Sequence, residues 1–204
     1  SRIRSQGRCI DRRSVEESQV RALRKDLGIA DGSVVVIMVA RLVLTKGVSE
    51  YAEAAQLVAR SDPKVRFLLV GPWHREVTGA LTEHDVAHVS DRVTWLGERR
   101  DLAMLYAISD IGVLPSYYRE GIPSVLMEAA SMGLPLIATD MPGCRDVVED
   151  RENGFLIPPR DASALASSIV RLAEDPDLRR RFGLASREIA VDRFDSRSIA
   201  QQVE

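Results

Sequence analysis

The sequence has few of the features that mark disulfide-rich or membrane-spanning proteins. Its only two cysteines, Cys9 and Cys144, lie far apart and outside any metal-ligand spacing. A reduced, cytosolic protein is therefore the default expectation. No secretory signal is recognisable. The continuous apolar run at residues 34–40 is far shorter than the roughly 20 residues that a transmembrane helix needs.

The chain also lacks a strong excess of charge of one sign. Its formal net charge is −2 over 204 residues, so we expect no electrostatic attraction to nucleic acid. Among the 28 basic residues, lysine is rare and occurs only as Lys25, Lys46 and Lys64. With 45% hydrophobic residues, the length and composition favour a single α/β domain with a real core.

Short apolar runs alternate with amphipathic stretches along the chain. Strands are predicted at residues 34–40, 65–70, 93–96, 111–114, 136–139 and 155–157. Helices are predicted at residues 14–28, 47–60, 77–89, 101–107 and 123–132, and two or three more close the chain. This alternation predicts a Rossmann-like, doubly wound parallel sheet flanked by helices.

We divide the chain into three parts. Residues 1–13 are polar and arginine-rich, without periodicity, and we interpret them as a linker. Residues 14–190 form the predicted domain. Residues 191–204 are expected to form a C-terminal helix that packs toward a domain absent from this sequence.

The loop after the first predicted strand carries two cations. Arg41 and Lys46 lie five residues apart, immediately before a predicted helix. Two phosphates would suit this arrangement, because the cations and the free N–H groups of a helix start both attract anions. The Walker pattern is absent. On spacing alone, ordinary solvated loop charges explain the two residues equally well.

The loop after the fourth strand combines a glycine, a proline and two acids. Gly121 allows close backbone approach to a ligand, and Pro123 fits the first position of a helix. Glu120 and Glu128 can face one cleft, where carboxylates would accept hydrogen bonds from sugar hydroxyls. Taken singly, Glu120 is explained as an acid that balances the helix dipole, and Glu128 as an exposed helix residue.

Together, these residues resemble the donor-site signature of glycosyltransferase family 4. The stretch YREGIPSVLMEAASMGLPLIATDMPGCRDVVEDRENGFLIPPRD is similar to the C-terminal block of that family, and the resemblance covers residues 34–173. Ala40 departs from the glycine that the family often has before the arginine. The resemblance implies the C-terminal half of a GT-B enzyme, a retaining and metal-independent glycosyltransferase that uses no cofactor.

The resemblance also implies roles for individual residues. Arg41 and Lys46 would hold the diphosphate and neutralise the leaving group, and Glu120 would position the donor sugar; these three are the expected catalytic residues. Glu128 would bind the ribose. The remaining expected contacts are with the sugar and phosphate oxygens, from Gly121, Ile122 and Ser124, and with the base, from Leu96, Gly97 and Glu98.

The expected partners are a nucleotide diphosphate sugar, with UDP favoured, and a polysaccharide or lipid-linked glycan acceptor bound through a further N-terminal domain. A cytoplasmic location is expected, and a peripheral contact with the inner face of the membrane is left open for a longer chain. Two other functions also stay open. One is an enzyme similar to UDP-sugar 2-epimerases, and the other is a nucleotide-sugar-binding module without turnover.

Overall fold

The computed structural model describes residues 15–62, 64–89, 92–119 and 121–194. The proposed linker at residues 1–13 lies outside this part of the chain. Eight helices, six strands and one 3₁₀ turn make up the described structure, in the order α1 Glu17–Asp26, β1 Val35–Val39, the 3₁₀ turn Leu44–Lys46, α2 Val48–Ser61, β2 Arg66–Val70, α3 Glu83–Val89, β3 Val93–Trp95, α4 Leu102–Ala107, β4 Ile111–Leu114, α5 Ser124–Ser131, β5 Leu136–Thr139, α6 Pro142–Arg145, β6 Gly154–Ile157, α7 Ala162–Glu174 and α8 Pro176–Phe194.

The six strands form one parallel sheet in the order β3-β2-β1-β4-β5-β6. The central strand β1 pairs with both β2 and β4, so that Ile37 lies opposite Leu68 on one side and Gly112 on the other. From β1 the chain proceeds through β2 to β3 at one edge of the sheet, and from β4 it proceeds through β5 to β6 at the other edge. The Rossmann-like doubly wound fold is therefore confirmed, and its switch point lies between β1 and β4, where such sheets bind ligands.

Both faces of the sheet are covered by helices. Alternate residues of β1 show the two sides: Val36 and Met38 belong to a core shared with α2, α3 and α7, whereas Val35 and Ile37 belong to a core shared with α1, α4 and α5. All four side chains are buried. A strand buried on both faces must be apolar at every position, which explains the unbroken hydrophobic run.

One helix is shorter than predicted. The helix expected at residues 77–89 begins only at Glu83, because a capping box stops it from extending further toward the N-terminus. The Thr82 N–H donates to the Asp85 carboxylate at 2.9 Å, and the Asp85 N–H donates to the Thr82 hydroxyl at 3.2 Å. Ala80, just upstream, instead forms an isolated β-bridge with Val43.

The start of α5 also differs from the prediction. Pro123 is the N-cap residue with extended backbone (φ −70°, ψ 116°), and Ser124 is the first helical residue. The Pro123 carbonyl accepts the helix's first bonds, from the N–H groups of Leu126 and Met127. The proline thus lies one position earlier than expected, where its missing N–H costs nothing.

The last helix, α8, begins at Pro176 and includes residues 191–194. The separate C-terminal helix predicted at residues 191–204 falls mostly outside the described residues, and its first four residues continue α8. Within the described structure, no helix has the length and apolar character required to cross a membrane.

Candidate functional site

The loops that follow β1 and β4 are joined at the switch point of the sheet. The carbonyl of Thr45 accepts hydrogen bonds from the Tyr117 N–H at 3.0 Å and from the Ser116 hydroxyl at 3.2 Å. Gly47 packs against the same loop: its φ is 77°, and an added Cβ would lie 2.2 Å from the Pro115 carbonyl oxygen. The two loops are therefore joined into one surface, the switch-point floor, at the carboxyl edge of the sheet.

The β1–α2 loop brings two cations to this floor. Arg41 is exposed, and no carboxylate in the described part of the chain forms an ion pair with it. Lys46 is half-buried at the end of the 3₁₀ turn, and α2 begins two residues later at Val48. The free N–H groups of this 14-residue helix and the two cations can attract an anion together.

Glu128 lies on the second turn of α5, behind the β4–α5 loop. Its carboxylate is half-buried and lies 3.4 Å from the hydroxyl of Tyr106, which also lies 3.2 Å from the Val125 carbonyl. Burial raises the pKa of Glu128 above its ordinary value, and the hydrogen bond from Tyr106 lowers it. Glu128 is thus not the exposed helix residue of the simpler interpretation, because Tyr106 on α4 packs beneath it.

The start of α5 is open to a ligand. Gly121, Ile122 and Ser124 are all exposed, and a Cβ added at Gly121 would meet no atom of the described residues within 4 Å. The space above this turn can therefore admit another molecule close to the backbone. Glu120, the expected sugar-positioning acid, lies outside the described residues.

The expected base-binding segment lies at the same edge, beyond β3. The Leu96 N–H donates to the Leu69 carbonyl at 2.9 Å, and the Gly97 carbonyl accepts from the Gly71 N–H at 2.8 Å, while Glu98 is exposed. Trp95 is accounted for by packing, since its indole N–H donates to the Gly71 carbonyl at 3.0 Å. Strand β2 separates this segment from the cations that follow β1.

Two residues of the site were missed by the sequence reasoning. Tyr106 is buried, and nothing in the apolar pattern of α4 singles out its hydroxyl. Arg160, in the loop after β6, places its guanidinium carbon 4.4 Å from the centre of the Tyr117 ring. The only sequence signal for Arg160 is its position after a strand, at the edge where ligands bind.

Comparison with known families gives one match that covers most of the chain. The sequence model described as glycosyl transferases group 1 matches residues 19–189. The N-acetyl-alpha-D-glucosaminyl L-malate synthase of Bacillus anthracis is 30% identical over 196 residues, which are 96% of this chain and 50% of that protein. The N,N'-diacetylbacillosaminyl-diphospho-undecaprenol alpha-1,3-N-acetylgalactosaminyltransferase of Campylobacter jejuni is 32% identical over 188 residues, 92% of this chain and 48% of that protein.

Solved structures show the same similarity. Anabaena Alr3699/HepE in complex with UDP-glucose superposes with a TM-score of 0.83 at 30% identity, over 95% of this chain and 54% of that one. The sucrose-phosphate synthase of Thermosynechococcus elongatus gives a TM-score of 0.79 at 29% identity, over 95% and 49%. The chain spans about half the length of the curated relatives that it matches.

Proposed function

Since the chain belongs to the glycosyl transferases of group 1, we propose that its switch-point floor binds a nucleotide diphosphate sugar. The favoured donor is a UDP-sugar, because one relative of this fold, Anabaena Alr3699/HepE, has been solved in complex with UDP and with UDP-glucose. The whole protein would transfer that sugar, with retention of configuration, to a polysaccharide or lipid-linked glycan in the cytoplasm. A relative that uses a diphospho-undecaprenol acceptor supports the second class.

The observation that carries the proposal is the junction at Thr45. Its carbonyl ties the cation-bearing loop to the loop that leads into α5. A diphosphate bound by Arg41 and Lys46 would therefore lie directly beside the open turn at Gly121. The base would extend toward β3, and Glu128 would accept hydrogen bonds from the ribose hydroxyls.

The same charges explain how the chain would assist the reaction. When the anomeric bond breaks, negative charge develops on the diphosphate that leaves. Arg41 and Lys46 lie on the loop that leads into α2, and the fold fixes the start of this helix, so these groups would stabilise that charge. We propose that these groups suffice without a metal ion. Glu120 would position the sugar and would not act as the nucleophile of a retaining glycosidase.

The acceptor would be held by a further domain that faces this edge of the sheet. The match to only about half the length of these relatives supports that arrangement. Transfer of sugar by a protein containing both domains separates this function from a nucleotide-sugar-binding module without turnover. An epimerase would convert the donor in the absence of any acceptor.

Calorimetric titration of the chain with UDP, GDP, ADP and their glucose conjugates tests the donor site. One nucleotide should bind, and Arg41→Ala and Lys46→Ala should each weaken it by about 1–3 kcal/mol. Arg60→Ala is the matched control, because Arg60 is an exposed arginine near the other end of α2. Absence of nucleotide binding to the folded chain, or equal losses in all three variants, would contradict the proposal.

A further inference from the structure

Arg160 adopts a backbone conformation that side chains of L-residues rarely take. Its φ is 59° in the loop between β6 and α7, a left-handed conformation that glycine adopts without steric cost. Its side chain is exposed. The guanidinium lies over the ring of Tyr117, with 4.4 Å between the guanidinium carbon and the ring centre. The arginine is thus held by a cation–π contact at the mouth of the site.

The charge of Arg160 is not neutralised by a carboxylate. Within the described residues its interaction is with the Tyr117 ring, and no acidic side chain forms an ion pair with it. When a guanidinium stacks on an aromatic ring, the N–H groups along its edge stay free to donate to a carboxylate or phosphate. The pair therefore has the chemistry of an anion-binding group whose side chain is already oriented.

The sheet order shows which part of a ligand would meet this group. The residues expected to border the base follow β3, the phosphate-binding cations follow β1, and Arg160 follows β6 at the opposite end. Tyr117 links Arg160 to the site, because its N–H donates to the carbonyl of Thr45, the neighbour of Lys46. The guanidinium consequently borders the space on the far side of the diphosphate from the base.

We propose that Arg160, held on Tyr117, recognises a carboxylate or phosphate on the group that lies beyond the diphosphate. That anion belongs either to the donor sugar, as in a hexuronic acid, or to the acceptor. This inference rests on the donor site proposed above and specifies the chemical class of what that site accepts next to the diphosphate.

Arg160→Gln removes the charge and keeps a side chain of similar length. Its matched control is Arg151→Gln, because Arg151 is also an exposed arginine with positive φ, 64°. Arg151 lies in the turn before β6, at the amino edge of the sheet, and therefore on the side away from the site. Thermal unfolding of both variants verifies that each remains folded.

Two titrations distinguish the sources of the anion. In the first, UDP-glucuronate is compared with UDP-glucose; an acidic donor sugar predicts tighter binding of UDP-glucuronate, reduced by about tenfold in Arg160→Gln. In the second, inorganic phosphate is added to the chain saturated with UDP. An anionic acceptor predicts weak binding of phosphate that Arg160→Gln lowers by at least about fivefold.

A loss in either titration that Arg151→Gln does not share supports the inference and identifies the source. Agreement within about twofold between Arg160→Gln and the unchanged chain in both titrations overturns it. UDP binding to the unchanged chain is measured in the same experiments. Its absence would count against the donor site itself, whereas UDP binding without any dependence on Arg160 overturns this inference alone.

Discussion

The contact between the Tyr106 hydroxyl and the Glu128 carboxylate leads to a prediction about the pH dependence of UDP binding. In Tyr106→Phe, the carboxylate of Glu128 loses the hydrogen bond that lowers its pKa, while the burial that raises its pKa stays. The pKa of Glu128 should therefore rise further. Because the ionised carboxylate is the better acceptor for ribose hydroxyls, UDP binding should weaken at a higher pH in the variant than in the unchanged chain.

The expected loss of stability is small. The Tyr106 hydroxyl lies 3.2 Å from the Val125 carbonyl and 3.4 Å from the Glu128 carboxylate, whereas such bonds are commonly about 2.7–2.8 Å long. We expect a loss of about 0.5–1 kcal/mol, the lower part of the range for a net hydrogen bond. For a domain of this size, that lowers the melting temperature by about 1–4 °C.

Tyr51→Phe is the matched control for this variant. Tyr51 is also buried, and its hydroxyl lies 2.9 Å from the Val36 carbonyl and 3.1 Å from the Leu68 carbonyl, away from the site. The loss of stability should be larger, about 1–1.5 kcal/mol, because these bonds are shorter. The pH dependence of UDP binding should not change in this variant.

The assay is calorimetric titration of UDP between about pH 5 and pH 8, together with urea unfolding of each variant. Tyr106→Phe should show nearly normal UDP affinity at the upper end of this range and an earlier loss on acidification. Superimposable pH profiles for Tyr106→Phe and the unchanged chain would refute the reasoning. So would a displaced profile in Tyr51→Phe, because that result would assign the effect to general loosening of the core.

Two further predictions concern the floor and its acid. Gly47→Ala should lower the free energy of unfolding by more than about 2 kcal/mol and weaken UDP binding, because its Cβ would lie 2.2 Å from the Pro115 carbonyl oxygen. Gly28→Ala, at φ 66° and with no atom of the described residues within 4 Å of the added Cβ, should lower it by about 1 kcal/mol and leave UDP binding unchanged. Similar losses of stability for the two variants in thermal unfolding would contradict the prediction. Burial raises the pKa of Glu128 in the folded chain, so the folded state binds the proton of this carboxyl more tightly than the unfolded state does. The contribution of Glu128 to stability therefore falls as the pH rises through the raised pKa. Glu128→Gln should remove that decline in urea unfolding and also weaken UDP binding; an unchanged pH dependence of unfolding would contradict it.

The strands were predicted well because their signal is local. Strands β4 and β5 have the predicted bounds, Ile111–Leu114 and Leu136–Thr139. Each is a short, buried apolar run that ends at polar or turn-forming residues, which a window of a few residues can detect. The start of α3 was predicted wrongly, because the contact that residues 77–82 make with a distant part of the chain leaves no local signal. There, the bridge between Val43 and Ala80 overrides the local pattern.

Only part of the site could be predicted from the sequence. Loops that follow parallel strands meet at one edge, so the proximity of residues 40–47 to residues 115–123 was predictable. The contacts that fix these loops were not, since the Thr45 carbonyl and the Tyr117 N–H are 72 residues apart and carry no side-chain signal. The burial of Glu128 likewise depends on Tyr106, which reaches it from a different helix.

Substitutions of the charged side chains and substitutions at the loop junction should impair this site in different ways. The charges of Arg41 and Arg160 are on exposed side chains, and their removal should change ligand affinity while the backbone stays in place. The junction at Thr45 and Gly47 is made by backbone atoms that face Pro115 and Tyr117, and its disturbance should lower stability and affinity together. A preorganised electrostatic site requires both conditions, because charges stabilise a developing anion only when their positions are fixed before the charge appears.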